Sequence, residues 1–393
     1  MKRIGKPAVI AACFSFAFIA CFAQSFGFWG DERKSGQVES YDVAPAGDLL
    51  LVPVVLGEKR YNFVVDTGAS VCVFDTALQH QLVKQPDRVP INGDGEYQVF
   101  LAPNARFGST GEEISGNCLA LDLSRIREHS GYNVRGIAGM SVLGNHVIEV
   151  NFDAGKLSLR NEPSPSAGKE FRLYYNEQNL PMIEAEVIEG EPEGWILDTG
   201  RIGSSLTIRE RLFEELVEKK RLRIIKTHAS SAGVVAETPI RGGRLDSFRF
   251  GKFEHERVSV SEGKVNLIGL AYLSRYIVTL DFRKGRLYLK PGRRFEEPDR
   301  FGACGAWCKR VKGKTTFLAP SRGSSAEAAG LQEGDELLRI DGRSAASMSL
   351  MEINSIFKME GRLVQIEVLG PDGGRKVEIQ VSGPDDQAAE ERK

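Results

Sequence analysis

The sequence is poor in histidine and in net charge, and both shortages exclude classes of function. Five histidines occur in 393 residues, and none has a partner at the spacing of a metal-binding motif. No metal or organic cofactor is therefore expected. The formal net charge of −1 leaves no basic excess, so nucleic acid is not an expected partner. Phosphate loops, dinucleotide-binding fingerprints and Ser-His-Asp signatures are also missing.

Long apolar runs are missing except near the N-terminus. A positively charged start is followed there by an apolar run at 7–22 and by the small residue Ala23. This is the pattern of a secretory signal peptide. We expect a signal at 1–23, a linker at 24–46 and an exported protein, periplasmic or extracellular. An uncleaved segment that anchors the chain in a membrane is the alternative, although the run is shorter than the ~20 residues of a membrane span.

Cysteine is scarce as well. Beyond the N-terminal segment the chain contains four: Cys72, Cys118, Cys304 and Cys308. An exported compartment permits disulfides, but the sequence does not choose among the three pairings that four cysteines allow. Buried or unpaired thiols are an equally open alternative. A zinc site at the last two cysteines would need two more ligands, and none is apparent.

Glycine, in contrast, is abundant at 42 residues, and runs with helical periodicity are few. This composition is typical of a turn-rich β protein. Helices are expected at 75–83 and, with an amphipathic pattern, at 207–219.

The chain also contains a long internal repeat. Asp-Thr-Gly occurs at 66–68 and again at 198–200, each time after a short apolar run and before a Ser-containing stretch. An apolar-apolar-Gly triplet follows much later in each half, at 137–139 and at 267–269. Two motifs repeated in the same order indicate two lobes of the same fold.

A second anchor supports the repeat. Each half ends in an alternating strand, a turn that contains Asp and ends in Gly, and another strand, which predicts a hairpin. An aspartate of this turn lies 87 residues after Asp66 in the first half, at Asp153, and 83 residues after Asp198 in the second, at Asp281. A Pro-rich stretch between the halves places lobe one at 47–162 and lobe two at 163–292.

The repeated motif resembles that of a known family. Residues 63–70, Phe-Val-Val-Asp-Thr-Gly-Ala-Ser, resemble the active-site signature of retropepsin-like and pepsin-like aspartic proteases. The two glycine triplets resemble the element that closes the ψ-shaped loop behind each catalytic aspartate. The resemblance covers about residues 48–290. It implies a mainly β structure in which two retropepsin-like β-barrel lobes form a pseudo-dimer around an active site.

The resemblance also implies a role for individual residues. Asp66 and Asp198 would be the catalytic pair, sharing one proton because two adjacent carboxyls cannot both ionise cheaply. Gly139 and Gly269 would be the ψ-loop glycines. The residues expected to support the active site are Thr67, Gly68, Ser70, Thr199 and Gly200. The threonines would hydrogen-bond across the lobes, and Ser70 would bond the outer oxygen of its aspartate.

Two further features concern the cleft. A flap is expected at the turn-rich stretch 92–95, with Gly93, Gly95 and Tyr97 as candidates, and its counterpart at 230–233 in lobe two. Arg201 departs from the family pattern, since Ala or Ser usually follows this Asp-Thr-Gly. Its guanidinium is expected either to line a specificity subsite for acidic side chains or to lower the pKa of the shared carboxyl pair.

A third module follows the repeat. Residues 324–342 contain the run Ser-x-Ala-x-x-Ala-Gly-Leu-x-x-Gly-Asp, which resembles bacterial PDZ domains. The resemblance implies an α+β domain at 300–382, with a groove helix at 351–359, and a disordered tail is expected at 383–393. Such domains bind a peptide C-terminus at a sheet edge. The candidates for capturing its carboxylate are Phe301, Gly302 and Ala303, although packing or assembly without a peptide ligand is an open alternative.

The sequence therefore predicts an exported aspartic endopeptidase whose partners are a polypeptide substrate and a peptide C-terminus at the PDZ domain. The alternative is a catalytically weak peptide-binding or envelope scaffold protein that uses the same cleft and domain. Contact with a membrane is expected only if the N-terminal segment stays uncleaved.

Overall fold

The computed structural model describes residues 11–14, 38–43, 48–91, 95–108, 111–232, 237–299, 304–321, 323–359 and 361–381. This part of the chain is mainly β, as expected, and its strands form four sheets. Most of the expected signal and linker, and all of the expected tail, lie outside the described residues. Within the described ranges, no helix has the length and apolar character needed to cross a bilayer.

The first half of the chain builds one nine-stranded sheet. The strands and α-helices of this half, some of which join other sheets, are β1 (Ala11–Phe14), β2 (Glu39–Asp42), β3 (Leu51–Leu56), β4 (Lys59–Val65), β5 (Cys72–Asp75), β6 (Val83–Pro90), β7 (Glu96–Leu101), β8 (Ala105–Phe107), β9 (Glu112–Glu113), β10 (Cys118–Leu121), α1 (Ser124–Ser130), β11 (Val134–Ala138), α2 (Met140–Leu143), β12 (Val147–Asn151) and β13 (Lys156–Arg160). The sheet order is β6-β7-β10-β5-β11-β4-β3-β8-β9. Strand β11 lies between β4, to which it is parallel, and β5, to which it is antiparallel.

The second half builds a matching sheet. Its elements are β14 (Lys169–Arg172), β15 (Tyr174–Tyr175), β16 (Pro181–Ile188), β17 (Glu191–Leu197), β18 (Leu206–Arg209), α3 (Glu210–Glu218), β19 (Leu222–Ala232), β20 (Glu237–Phe250), β21 (Phe253–Gly263), β22 (Leu267–Ile268), α4 (Leu270–Leu273), β23 (Tyr276–Asp281) and β24 (Arg286–Pro291). Its order is β1-β19-β20-β21-β18-β22-β17-β16-β15. Strand β22 lies between parallel β17 and antiparallel β18, as β11 does in lobe one.

A third sheet joins the two lobes. Its order is β14-β24-β23-β12-β13-β2, and it contains both hairpins expected from the turns that end in glycine. Gly155 and Gly285 end those turns at φ +63° and +60°, a conformation that favours glycine. Strand β12 pairs antiparallel with β23, with Val150 opposite Val278. The lobes therefore share one continuous sheet.

Burial in the lobes follows from runs of apolar side chains on both strand faces. Phe63 and Val65 at the end of β4 face the large core that both lobes share. Val64, which points the opposite way, lies in a second cluster of lobe one. A strand covered on both faces reads as a continuous apolar run, and this is what precedes the first Asp-Thr-Gly.

The last module has a separate core. Its elements are β25 (Cys308–Val311), β26 (Lys314–Phe317), α5 (Ser325–Ala328), β27 (Glu336–Ile340), β28 (Arg343–Ser344), α6 (Leu350–Ile356), β29 (Leu363–Gly370) and β30 (Gly373–Gln380). The sheet runs β25-β26-β27-β29-β30, with β28 on β27. The expected groove helix is α6, which begins with a capping box between Ser349 and Glu352.

The helices of the lobes differ from the sequence prediction. The stretch expected to be helical at 75–83 is a 3₁₀ helix, Thr76–Gln81, which begins where the Asp75 carboxylate accepts the amide of Ala77. The second predicted helix is confirmed but begins at Glu210, because the three residues before it complete β18.

The four cysteines are buried, unbonded thiols. Cys72 lies opposite Cys118 on neighbouring strands, and burial raises the pKa of Cys118 to about 12. Burial likewise raises the pKa of Cys304 to about 11. Of the alternatives left open by the sequence, the structure contains the buried thiols.

Candidate active site

The two Asp-Thr-Gly motifs begin at equivalent points of the two lobes. Asp66 directly follows β4, and its amide donates to the Ala138 carbonyl at 3.0 Å. Asp198 directly follows β17, and its amide donates to the Ile268 carbonyl at 2.9 Å. Each aspartate is thus held by the strand that passes beside it, β11 or β22. The same arrangement, a central strand parallel to the strand that ends at the aspartate and antiparallel to the next, is present in both lobes.

The glycine of each motif holds its own aspartate. The amide of Gly68 donates to Asp66 Oδ1 at 2.8 Å, and that of Gly200 donates to Asp198 Oδ1 at 2.9 Å. A Cβ atom on Gly68 would lie only 2.6 Å from Asp198 Cγ. A side chain at Gly68 would therefore collide with the opposite carboxyl, so the close approach of the lobes requires glycine there.

The threonines lock the lobes together across the same point. Thr67 Oγ1 donates to the Leu197 carbonyl at 2.6 Å and accepts the Thr199 amide at 3.1 Å. The reciprocal pair joins Thr199 Oγ1 to the Val65 carbonyl at 2.7 Å and to the Thr67 amide at 3.1 Å. These four bonds are buried and fix one carboxyl relative to the other.

The two carboxyls differ in acidity. Burial, followed by the neighbouring charge of Asp198, raises the pKa of Asp66 well above its usual range. Burial also raises the pKa of Asp198, to about 6, and this rise is limited first by the positive charge of Arg201. Asp66 Oδ2 is buried and accepts no hydrogen bond from the described part of the chain.

The glycines of the ψ-shaped loops lie tightly against the loops that carry the aspartates. A Cβ atom on Gly139 would lie 2.3 Å from the Val71 carbonyl oxygen. One on Gly269 would lie 2.8 Å from Arg201 Cγ and 2.9 Å from the Arg201 carbonyl oxygen. Both positions therefore exclude a larger residue for the same steric reason.

Arg201 points into lobe two. Its side chain is fully buried, and Nη2 donates to Ser204 Oγ at 3.1 Å and to Ser261 Oγ at 2.5 Å. This placement supports the electrostatic alternative stated for Arg201, because a buried guanidinium acts on Asp198 through its charge. The sequence reasoning missed Ser261, whose signal is the alternation of serine with valine along β21 at 258–261.

For the remaining candidate residues the structure gives a position but does not test the predicted role. Ser70 is half-buried, and its carbonyl accepts the Ser141 amide at 3.0 Å; its bond to Asp66 stays a prediction. Tyr97 lies opposite Val89 in the β6–β7 hairpin, whose turn includes exposed Gly95. Gly93 lies outside the described residues, and the flap role stays a prediction.

Other predicted positions also fall outside the described part. These are the PDZ candidates Phe301, Gly302 and Ala303, and residue 233 of the lobe-two flap. Among the residues that are described, no three His, Cys, Asp or Glu side chains form a cluster able to hold a metal ion.

Comparisons with known proteins bear on both parts of the chain. The PDZ domain family matches residues 319–369, which confirms that domain. The chain is similar to the crystal structure of a retropepsin-like aspartic protease from Rickettsia conorii, with 20% sequence identity and a TM-score of 0.24, over 31% of this chain and 89% of that one. Among curated proteins no match was found. The chain thus combines a mainly β part built of two similar lobes with a PDZ domain.

Proposed function

We propose that the chain is an aspartic endopeptidase in which Asp66 and Asp198 activate a water molecule to hydrolyse a peptide bond. The observation that carries this proposal is the pair of buried carboxyls, each at the base of a ψ-shaped loop and held together by the threonine bonds. Adjacent buried carboxyls share a proton, since ionising both is unfavourable. That state provides an acid and a base at one point.

The buried charge of Arg201 favours one assignment of the two roles. Asp198 has a pKa of about 6, whereas that of Asp66 is raised well above its usual range. The pair titrates as a unit, and its first proton leaves the Asp198 side because the Arg201 charge stabilises that carboxylate. Asp198 is then the general base and Asp66 the general acid.

The chemistry balances with these two groups alone. The water oxygen bonds to the scissile carbonyl carbon while Asp198 takes a proton from the water, and Asp66 gives its proton to the carbonyl oxygen. Collapse of the tetrahedral intermediate breaks the C–N bond: the leaving amine takes up the proton held by Asp198, and Asp66 takes back a proton from a hydroxyl group of the intermediate. The products are a carboxyl group and an amine, and the dyad again holds one proton.

The domain architecture supports a polypeptide as the substrate. PDZ domains bind peptides at a sheet edge, so this module would recruit substrates or partner proteins. The charged and then apolar start of the sequence supports export. Mass spectrometry of the protein recovered from its native host tests this: a mature N-terminus at Gln24 is expected, and an intact Met1 would leave the membrane-anchored alternative.

The decisive experiment compares Asp66→Asn with Asp87→Asn, a control at an exposed aspartate. Wild type and the control should cleave a denatured protein, with activity falling as the pH drops through about 6, because the base becomes protonated. Asp66→Asn should not cleave it. If wild type fails to cleave between about pH 3 and 8 and also fails to bind a statine-containing peptide, the endopeptidase proposal is wrong.

One observation favours a second function. The charge of Arg201 lowers the pKa of Asp198, and a less basic carboxylate is a weaker general base. The same cleft could then hold peptides without cutting them, as a peptide-binding or scaffold protein. Binding of the statine peptide by a wild-type protein that shows no cleavage would support this alternative.

A further inference from the structure

The edge of the PDZ sheet is where a peptide would be added. Strand β25 is the outermost strand, and helix α6 packs beside it. In PDZ domains a peptide enters such a space as an extra strand and bonds to the main chain of the edge strand. Whether the outward main-chain groups of β25 are available therefore decides whether this groove is open.

Those groups are already bonded at Cys308. Its amide donates to Asn354 Oδ1 at 2.8 Å, and its carbonyl accepts from Asn354 Nδ2 at 3.2 Å. Asn354 projects from α6 and satisfies the donor and the acceptor that an added strand would use. A peptide must therefore displace this side chain before it can pair with β25 at that residue.

Helix α1 of lobe one closes the same region from outside. It packs against both β25 and α6. At its end Gly131 adopts φ +74°, and a Cβ atom there would lie 3.2 Å from Leu350 Cβ. Leu350 is buried, with 1% of its surface exposed. Glycine at 131 thus gives the helix end both its left-handed conformation and its close approach to α6.

Helix α1 is itself fixed to lobe one. Arg127 forms an ion pair with Asp75 at the end of β5 and donates to the Val134 carbonyl at 3.1 Å. The Leu123 amide, at the start of the helix, donates to the same Asp75 carboxylate at 3.2 Å. Because these bonds hold α1 in lobe one, separating α1 from the groove requires the PDZ module to move.

We propose that the PDZ groove of the resting chain is occupied by its own helix α1, and that a peptide with a free C-terminal carboxylate binds only when the module moves away from lobe one. Peptide binding and contact between the module and the protease-like part then exclude each other. This inference rests on the peptide-binding part of the proposed function and is independent of catalysis at Asp66 and Asp198.

Gly131→Asn in the full-length protein tests the contact. Asparagine tolerates the left-handed conformation, but its Cβ atom would lie 3.2 Å from Leu350 Cβ, closer than ordinary van der Waals contact, so α1 and α6 must move apart. We expect amide hydrogen exchange in β25 and α6 to become about tenfold faster or more, because local opening controls exchange. Gly190→Asn is the matched control, because an added Cβ at this left-handed glycine meets nothing within 4 Å, and it should leave exchange in β25 unchanged. Unchanged exchange in Gly131→Asn would overturn the proposal.

A second measurement tests competition with peptide. The probe is a fluorescein-labelled decapeptide ending in valine, with a free or an amidated C-terminus. If the groove is open only in a minor fraction of molecules, its apparent affinity is reduced by that fraction, so Gly131→Asn should bind the free-carboxylate probe about tenfold more tightly than wild type. Equal binding would overturn occupancy by α1, and no binding by either protein would overturn the peptide site. Asp66→Asn should leave all these readouts unchanged, so loss of the protease proposal would be seen separately.

Discussion

The loops that follow Asp66 and Asp198 begin with equivalent main-chain hydrogen bonds and differ at the residue after the glycine. The Met140 amide donates to the Ala69 carbonyl at 2.7 Å, and in lobe two the Leu270 amide donates to the Arg201 carbonyl at 2.8 Å. Arg201 therefore occupies the position of Ala69. Lobe two accommodates the guanidinium because Ser204 and Ser261 accept its hydrogen bonds. Main-chain bonds preserve the repeat, whereas one buried side chain makes its two carboxyls unequal.

The largest expected effect is a loss of activity, and it should be the same for the aspartate of either lobe. Asp66→Asn and Asp198→Asn should each lower kcat/KM by about 10³-fold, since each removes one member of the acid–base pair. Initial rates on a quenched fluorescent peptide measure the loss, with Asp87→Asn as the control. Activity retained in either variant would mean that one lobe alone performs the chemistry, contrary to the proposal.

The two threonines should contribute equally to the stability of the protein, and substitutions can test this. Thr67→Val and Thr199→Val each leave a buried carbonyl and a buried amide without their partners, at a cost of about 2–4 kcal/mol in the free energy of unfolding. Urea denaturation measures both values. They should agree within about 0.5 kcal/mol, and the Thr→Ser variants should remain near wild type. A large difference between the two would show that the threonine bonds are not symmetric.

Substitutions at the two ψ-loop glycines should lower the stability of the protein by moderate and unequal amounts. Gly139→Ala forces a methyl group against main-chain oxygens at 2.3 and 2.7 Å, whereas Gly269→Ala meets the flexible Arg201 side chain as well as its carbonyl. Overpacking of this kind costs about 1–3 kcal/mol, and we expect Gly139→Ala to be the more destabilised in thermal unfolding. Adding Arg201→Ala should recover part of the loss in Gly269→Ala. If Arg201→Ala recovers none of the loss, the steric strain in Gly269→Ala comes from the main-chain contact alone.

The smallest effect is on the pH profile. Arg201 lowers the pKa of Asp198, and Asp198 must be ionised to act as the base. Removing the charge in Arg201→Met should therefore move the acid limb of kcat/KM to higher pH, by about one unit or 1.4 kcal/mol. Arg201→Lys keeps a charge and should stay closer to wild type. An unmoved limb in Arg201→Met would leave the unequal roles of the aspartates without support.

The sequence predicted what is carried by short local patterns. The two Asp-Thr-Gly motifs, the glycines at 139 and 269 and both hairpins of the shared sheet could be found because each needs particular residues at fixed spacing. The PDZ domain was found for the same reason. The direction of Arg201 could not be predicted, since it depends on Ser261, a residue 60 positions away.

Contacts between modules were likewise not predictable. Helix α1 lies in the first lobe and its neighbours β25 and α6 lie more than 170 residues later in the chain. Neither partner carries a periodic pattern that identifies the other, and Gly131 reads as an ordinary helix-ending glycine. The 3₁₀ helix at 76–81 shows a related limit, because helical composition over a few residues does not fix the hydrogen-bonding pattern.

The sheet shared by β12 and β23 has a consequence for the separated halves. If residues 47–162 were produced alone, β12 would lose the five residue pairs it makes with β23, and an unpaired strand edge recruits another chain. The main-chain groups with which β12 pairs to β23 would be exposed along that edge. A second copy of the same half offers an equivalent strand, so the isolated half should self-associate into a homodimer. The tandem chain removes the concentration dependence of that assembly, because it carries both partners covalently joined.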